Sequence, residues 1–141
     1  MPSLKTNPEL SKAFVDSVHA HSPAEVSAEE LHTLLNSPDK GVVMVIDVRP
    51  AEDFNNIHIP GSVNKPFQEL HYTQFVEEVA PHAKQEGFAL VFVSAQSPDV
   101  DDLAAREYIN EFSKTHGHPP SDGAVSVLLG GVCNYVQCYP S

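Results

Sequence analysis

Two rhythms of apolar residues alternate along this chain, and together they lay out a fold. Val42-Val43-Met44-Val45-Ile46-Asp47-Val48 and Phe88-Ala89-Leu90-Val91-Phe92-Val93 are nearly unbroken runs of β-branched, aliphatic and aromatic residues. They are too short for most helices, and continuous hydrophobicity marks strands covered on both faces, as in a parallel sheet. Val125-Ser126-Val127-Leu128-Leu129 reads as a third strand. The segments between them carry helical spacing instead. Ser27-Ala28-Glu29-Glu30 is a capping box that opens a helix through about Asn36, with Leu31, Leu34 and Leu35 on its buried face. A second helix is predicted from Phe67 to Ala80, stopped by Pro81. A third runs from Asp101 to Lys114, where Leu103, Ala104, Tyr108 and Phe112 form the core face and the acidic start suits the helix dipole. Gly130-Gly131 then precedes a short last helix around Asn134 to Cys138. Strands alternating with helices predict an α/β domain, a largely parallel central sheet flanked by helices in three layers.

Breakers divide the rest. Ser37-Pro38-Asp39-Lys40-Gly41 is a turn, and His116-Gly117-His118-Pro119-Pro120 interrupts the chain before the third strand. Residues 1–25 read as an N-terminal extension and residues 26–141 as the domain. Within the extension Asn7-Pro8 is a good helix start, and Leu10, Phe14 and Val18 recur every four residues as one narrow apolar stripe. Such a helix packs on its own domain or, as the alternative, offers itself to a partner.

Composition narrows the chemistry. The chain has 141 residues, enough for one domain with a core, and its 41% hydrophobic and 19% charged residues are ordinary for a globular protein. Acidic residues outnumber basic ones 19 to 8, giving a formal net charge of -11. That balance argues against nucleic acid and anionic membrane surfaces, which need clustered Lys or Arg. No apolar run approaches the ~18 residues of a membrane span, and Met1-Pro2-Ser3-Leu4-Lys5 lacks the apolar segment of a signal peptide. The expected compartment is the cytoplasm. The two cysteines, Cys133 and Cys138, are then expected as free, partly buried thiols. The eight histidines include His19-Ala20-His21 and His116-Gly117-His118, but these pairs lack a third and fourth ligand. No metal and no cofactor are expected.

Asp47-Val48-Arg49-Pro50-Ala51-Glu52-Asp53-Phe54-Asn55-Asn56-Ile57-His58-Ile59-Pro60-Gly61-Ser62-Val63-Asn64 carries a recognisable signature: D-V-R, three residues, an acid and an aromatic, three residues, then H-I-P-G-S-x-N. It resembles the rhodanese family. Val127-Leu128-Leu129-Gly130-Gly131-Val132 looks like that family's final strand and Gly-Gly turn. Tyr135-Val136-Gln137-Cys138-Tyr139-Pro140 is similar to the ending of its cell-cycle phosphatase and arsenate reductase branch. The resemblance covers about residues 26 to 140. The signature residues have jobs that need no catalysis. Arg49 with Glu52 or Asp53 can form a charge-assisted pair, Phe54 and Ile59 can fill core, Pro60-Gly61 can turn the chain, and His58 can orient a loop by hydrogen bonding. They are read as scaffold.

The resemblance implies catalysis by a thiolate in a loop of backbone N–H groups at a helix N-terminus, with an arginine holding the anion. That loop falls on Ser94-Ala95-Gln96-Ser97-Pro98-Asp99-Val100, with Ser94 at the cysteine position and Val100 at the arginine position of the phosphatase and reductase branch. In the sulfurtransferase branch the loop is one residue shorter, and Asp99 occupies the basic end. Both placements lose both groups. Serine attacks only with a general base beside it, and the loop supplies none. Pro98 removes an N–H donor. Asp99, Asp101 and Asp102 bring negative charge where an oxyanion would sit, at a cost on the order of several kcal/mol, although some of that acid can serve only to cap the helix.

The chain is therefore expected to be a catalytically inactive rhodanese-like domain, a monomer or weak dimer. It would bind a protein partner through the degenerate loop of Ser94 to Val100, with a basic surface or peptide as the charge-complementary ligand. The competing expectation is a working phosphatase, arsenate reductase or sulfurtransferase with a nucleophile from elsewhere, for which Cys133 and Cys138 are the only thiols.

Overall fold

The computed structural model describes residues 22–37, 43–85, 87–97, 99–121 and 123–140. The helix expected after Asn7-Pro8, most of the turn from Ser37 to Gly41, and Pro98 lie outside them. The sheet begins with β1 (Ala24–Val26), followed by α1 (Ala28–Asn36), β2 (Val43–Asp47), α2 (Ala51–Asn56) and β3 (Val63–Asn64). A 3-10 turn (Phe67–Glu69), α3 (Tyr72–Ala83), β4 (Ala89–Val93), α4 (Val100–His116), β5 (Val125–Leu128) and α5 (Gly131–Cys138) complete it. The five strands pair in the order β1-β5-β4-β2-β3, all parallel.

Alternate residues of the strands feed two cores. Ile46, Leu90, Phe92, Val125 and Val127 face α3 and α4, meeting Phe75, Val76, Val79, Ala104, Ala105 and Tyr108. Val45, Val91, Val93 and Leu128 face the other way, onto Ala28 and Leu31 of α1 and Val132 and Tyr135 of α5. The apolar runs are continuous because both faces are covered. Burial pushes the Tyr108 phenol up to about 12.

Several local expectations need correction. The helix foreseen from Phe67 to Ala80 is two pieces, because Leu70 is extended (φ -78°, ψ 124°) and ends the 3-10 turn. Pro81 lies inside α3 rather than after it. Placed in the last turn, it forfeits one N–H and leaves the earlier hydrogen bonds intact. Leu103 is 53% exposed rather than core. The buried apolar stripe of α4 is Ala104, Ala105, Tyr108 and Ile109, and the helical turn puts Leu103 on the opposite face. The capping box is present, with Glu30 N donating to Ser27 Oγ at 3.0 Å and Ser27 N to Glu30 Oε1 at 2.8 Å. β1, whose first two residues fall within the stretch read as extension, gave no apolar signal. Its Ala24-Glu25-Val26 are held by backbone pairing to Ser126, Val127 and Leu128 on one side only.

Candidate functional site

The chain leaves β2 for β3 on one side of the sheet and leaves β4 for β5 on the other. The C-terminal ends of β2 and β4 therefore diverge, which is where open α/β sheets form ligand crevices. A cleft of about 360 Å³ opens there. One wall comes from Val48, Arg49, Pro50, Ala51 and Asp53 after β2. The second comes from Pro66 to Glu69, and the third from Ser94, Ala95, Asp99 and Val100 after β4.

The wall after β2 is a closed network. Asp47, fully buried, accepts from Arg49 Nε at 2.9 Å and Nη2 at 2.7 Å and from the Arg49 backbone N at 3.0 Å. Arg49 Nη2 also donates to the Ile57 carbonyl at 2.7 Å. The partner foreseen for Arg49 was Glu52 or Asp53, and this is corrected. Those residues are exposed on α2, whereas a buried Asp47 needs a counter-charge within reach. Asn64 Nδ2 donates to the carbonyls of Asp47 and Arg49 at 3.0 and 2.9 Å, and Ser62 Oγ to that of Ile59 at 2.6 Å. Ile59 is fully buried as expected. Phe54 is only half-buried and stacks on His58, 3.9 Å between ring centroids. His58 Nδ1 lies 2.8 Å from the Phe54 carbonyl, where it holds the turn, and His58 does not line the cleft. Asp47, Arg49, His58, Ser62 and Asn64 thus hold the turns that follow β2.

The loop after β4 is built differently. Ser94 is 1% exposed, and its hydroxyl donates to the Gln96 carbonyl in the same loop. Its own carbonyl accepts from Val132 N at 2.9 Å, so the start of α5 packs beneath the loop. Gly131 makes that contact possible. A Cβ there would stand 2.2 Å from the Ala95 carbonyl oxygen, and its φ of +76° disfavours any other residue. Of the predicted loop residues, the structure brings Ser94, Ala95, Asp99 and Val100 to the cleft. Gln96 and Ser97 do not line it, and the Ser97 hydroxyl is buried with no partner.

The three aspartates separate into three roles. Asp101 is fully buried in the first turn of α4, and its Oδ1 accepts from the backbone N–H of Asp99 at 2.7 Å and of Asp102 at 2.8 Å. It caps the helix although it is not the residue before it. Its Oδ2 has no partner. Asp102 pairs with Arg106 one turn on, at 2.8 Å. Only Asp99 lies on the cleft, exposed and with no role for its side chain in capping. Of the charge expected at the pocket only that of Asp99 lies there, and the alternative of a capping role holds for Asp101. Two other carboxylates, Asp53 and Glu69, take the vacated part. Sequence reading missed them because they lie 46 and 30 residues before Asp99 in the chain. Among the described residues, no hydrogen bond or ion pair engages the carboxylate of Asp53, Glu69 or Asp99.

Cys133 and Cys138 are free and exposed rather than partly buried, because α5 turns Gly131, Val132 and Tyr135 inward. Neither cysteine lines the cleft. Among the described residues no His, Cys, Asp or Glu cluster could hold a metal, and no helix is long and apolar enough to cross a membrane.

The rhodanese-like domain model matches residues 27–137. Among solved structures, the As-Sb reductase of Leishmania major is 28% identical, with a TM-score of 0.63 over 83% of this chain and 79% of that one. A Saccharomyces cerevisiae homologue of single-domain rhodanese and of the Cdc25 phosphatase catalytic domain is 17% identical, with a TM-score of 0.68 over 82% and 81%. A Pseudomonas aeruginosa thiosulfate sulfurtransferase is 23% identical, with a TM-score of 0.55, and there 91% of this chain spans 22% of that one. No curated protein matches the chain.

Proposed function

The chain belongs to the rhodanese-like domain family, and we propose that it works there as a non-catalytic, protein-binding or regulatory module. One observation carries this reading: the only nucleophile at the family's cysteine position, the Ser94 hydroxyl, is buried and hydrogen-bonded to Gln96 of its own loop. A serine becomes a nucleophile when a general base takes its proton. Here that proton is directed at a peptide carbonyl, which is no base, and His58 does not line the cleft. At the far end of the loop Val100 presents an apolar side chain where an anion would need a cation. Arg49, the one cationic residue of the cleft among the described residues, is paired with Asp47. Two of the N–H groups at the start of α4 are also taken, by Asp101.

A second reading keeps catalysis, as in the As-Sb reductase the chain resembles, and draws its nucleophile from α5. What favours it is the contact of that helix's first turn with the loop, Val132 N to the Ser94 carbonyl at 2.9 Å. Phosphoryl-transfer, sulfur-transfer and arsenate-reduction assays on the purified chain decide between the two. No turnover is expected from the natural sequence. Turnover that disappears in the Cys133→Ala, Cys138→Ala variant establishes the second reading instead. The Ser94→Cys, Val100→Arg variant tests the alignment of the loop itself: activity gained from a zero background supports it, and continued inactivity shows that the loop geometry has changed as well.

A further inference from the structure

We propose that the cleft between the ends of β2 and β4 receives a single basic side chain, an arginine ahead of a lysine, presented by an extended segment of a partner protein. The proposal rests on the non-catalytic reading and names the chemistry of its ligand. It is carried by the way the cleft's walls are divided. Phe67, Ala95 and Val100 give it apolar surface, while Asp53, Glu69 and Asp99 stand around it with carboxylates that nothing among the described residues engages. The one basic group there among the described residues, Arg49, is 6% exposed and bound to Asp47 and to the Ile57 carbonyl, so it does not offset those three charges toward a ligand.

An apolar trough bordered by unpaired carboxylates suits an amphipathic cation. Arginine and lysine lay methylene stems on apolar surface and keep the charged head toward polar groups. A volume of about 360 Å³ is at the small end of ligand pockets and fits one side chain rather than a folded element. The carboxylates come from three separate segments. A planar guanidinium presents donors in two directions, which suits carboxylates on different walls better than an ammonium does. An anionic ligand meets the reverse situation, with three negative charges around it and no available cation among the described residues.

Chemical-shift titration of the isotopically labelled full chain, at near-neutral pH and low salt, tests this with capped tripeptides. The peptides are Gly-Xaa-Gly, with Xaa arginine, lysine, citrulline or glutamate. The arginine peptide is expected to shift the amides of Phe67, Glu69, Ala95 and Asp99, with lysine weaker. Citrulline has nearly the shape of arginine without its charge, and it and glutamate should leave those amides in place. Neutralising all three carboxylates (Asp53→Asn, Glu69→Gln, Asp99→Asn) should weaken arginine binding by about tenfold or more, each surface pair contributing modestly. The substituted positions are exposed, so an unchanged circular dichroism spectrum checks the fold. Equal shifts from citrulline, stronger shifts from glutamate, or none from arginine at millimolar concentration overturn the proposal. None of these outcomes would restore catalysis, which the transfer assays read separately.

Discussion

Asp47 and Asp101 are both fully buried aspartates in the segments that flank the cleft, one ending β2 and the other in the first turn after β4. Asp47 has both oxygens engaged by the Arg49 guanidinium, and Asn64 closes the same network over the neighbouring carbonyls. Asp101 has one oxygen shared by two backbone N–H groups and the other with no partner. The first region is a set of mutually dependent hydrogen bonds in which removing one member strands the rest. The second is a loop held by its own backbone, with polar atoms left over. A framework can therefore persist in full while the adjoining loop changes its chemistry, because few of the framework's bonds pass through the loop's side chains.

The largest loss is expected in the network after β2. Arg49→Ala leaves a buried carboxylate without its counter-charge and is expected to cost about 3–5 kcal/mol in urea unfolding. The double variant Asp47→Asn, Arg49→Met should recover most of that loss, since it removes the stranded charge; a double variant as unstable as Arg49→Ala would assign the loss to packing. Next comes the seam under the loop. Gly131→Ala drives a Cβ toward the Ala95 carbonyl at a positive φ, and about 2–3 kcal/mol is expected from crowding and backbone strain together. Amide shifts should concentrate in residues 94 to 97 if the loop is what yields.

Asp101→Ala removes a cap from two N–H groups and should cost only about 1–2 kcal/mol. Relief of the unpartnered Oδ2 offsets part of the loss, and Asp101→Asn should cost less still because its amide oxygen continues to accept. A loss equal to that of Arg49→Ala would erase the contrast between the two aspartates. Smallest of all, Asp99→Asn should stay within about 0.5 kcal/mol of the natural protein, because its side chain makes no cap. A measurable drop in its thermal midpoint would assign Asp99 a structural role and weaken its place among the ligand-facing carboxylates.

Much of the fold was legible in the chain. The three apolar runs became the three central strands, because a parallel strand between helices must be apolar on both faces and no other element of that length is. Ser27 and Glu30 capped α1 as their spacing requires. The edge strands were not legible. Ala24-Glu25-Val26 and Val63-Asn64 are held by backbone hydrogen bonds that carry no side-chain signature. Leu103 shows the limit of periodicity, since more than one apolar arc can be drawn on this helix and only its seating on the sheet decides which is buried.

The candidate site divides in the same way. The sequence alone determined what the loop lacks: Ser94 and Val100 are a hydroxyl and an isopropyl group wherever they are placed, and no fold turns them into a thiolate and a guanidinium. It also determined that the signature from Asp47 to Asn64 is present, because that is a matter of residue types at fixed spacing. The tertiary structure decided which charges matter. Three neighbouring aspartates were dispersed to a cap, an ion pair and the cleft, while Asp53 and Glu69 arrived from two other segments. Arg49 was assigned to Asp47 instead of to the acids that follow it. Charge acts through distance and burial, and both are set only when the ends of β2 and β4 lie side by side.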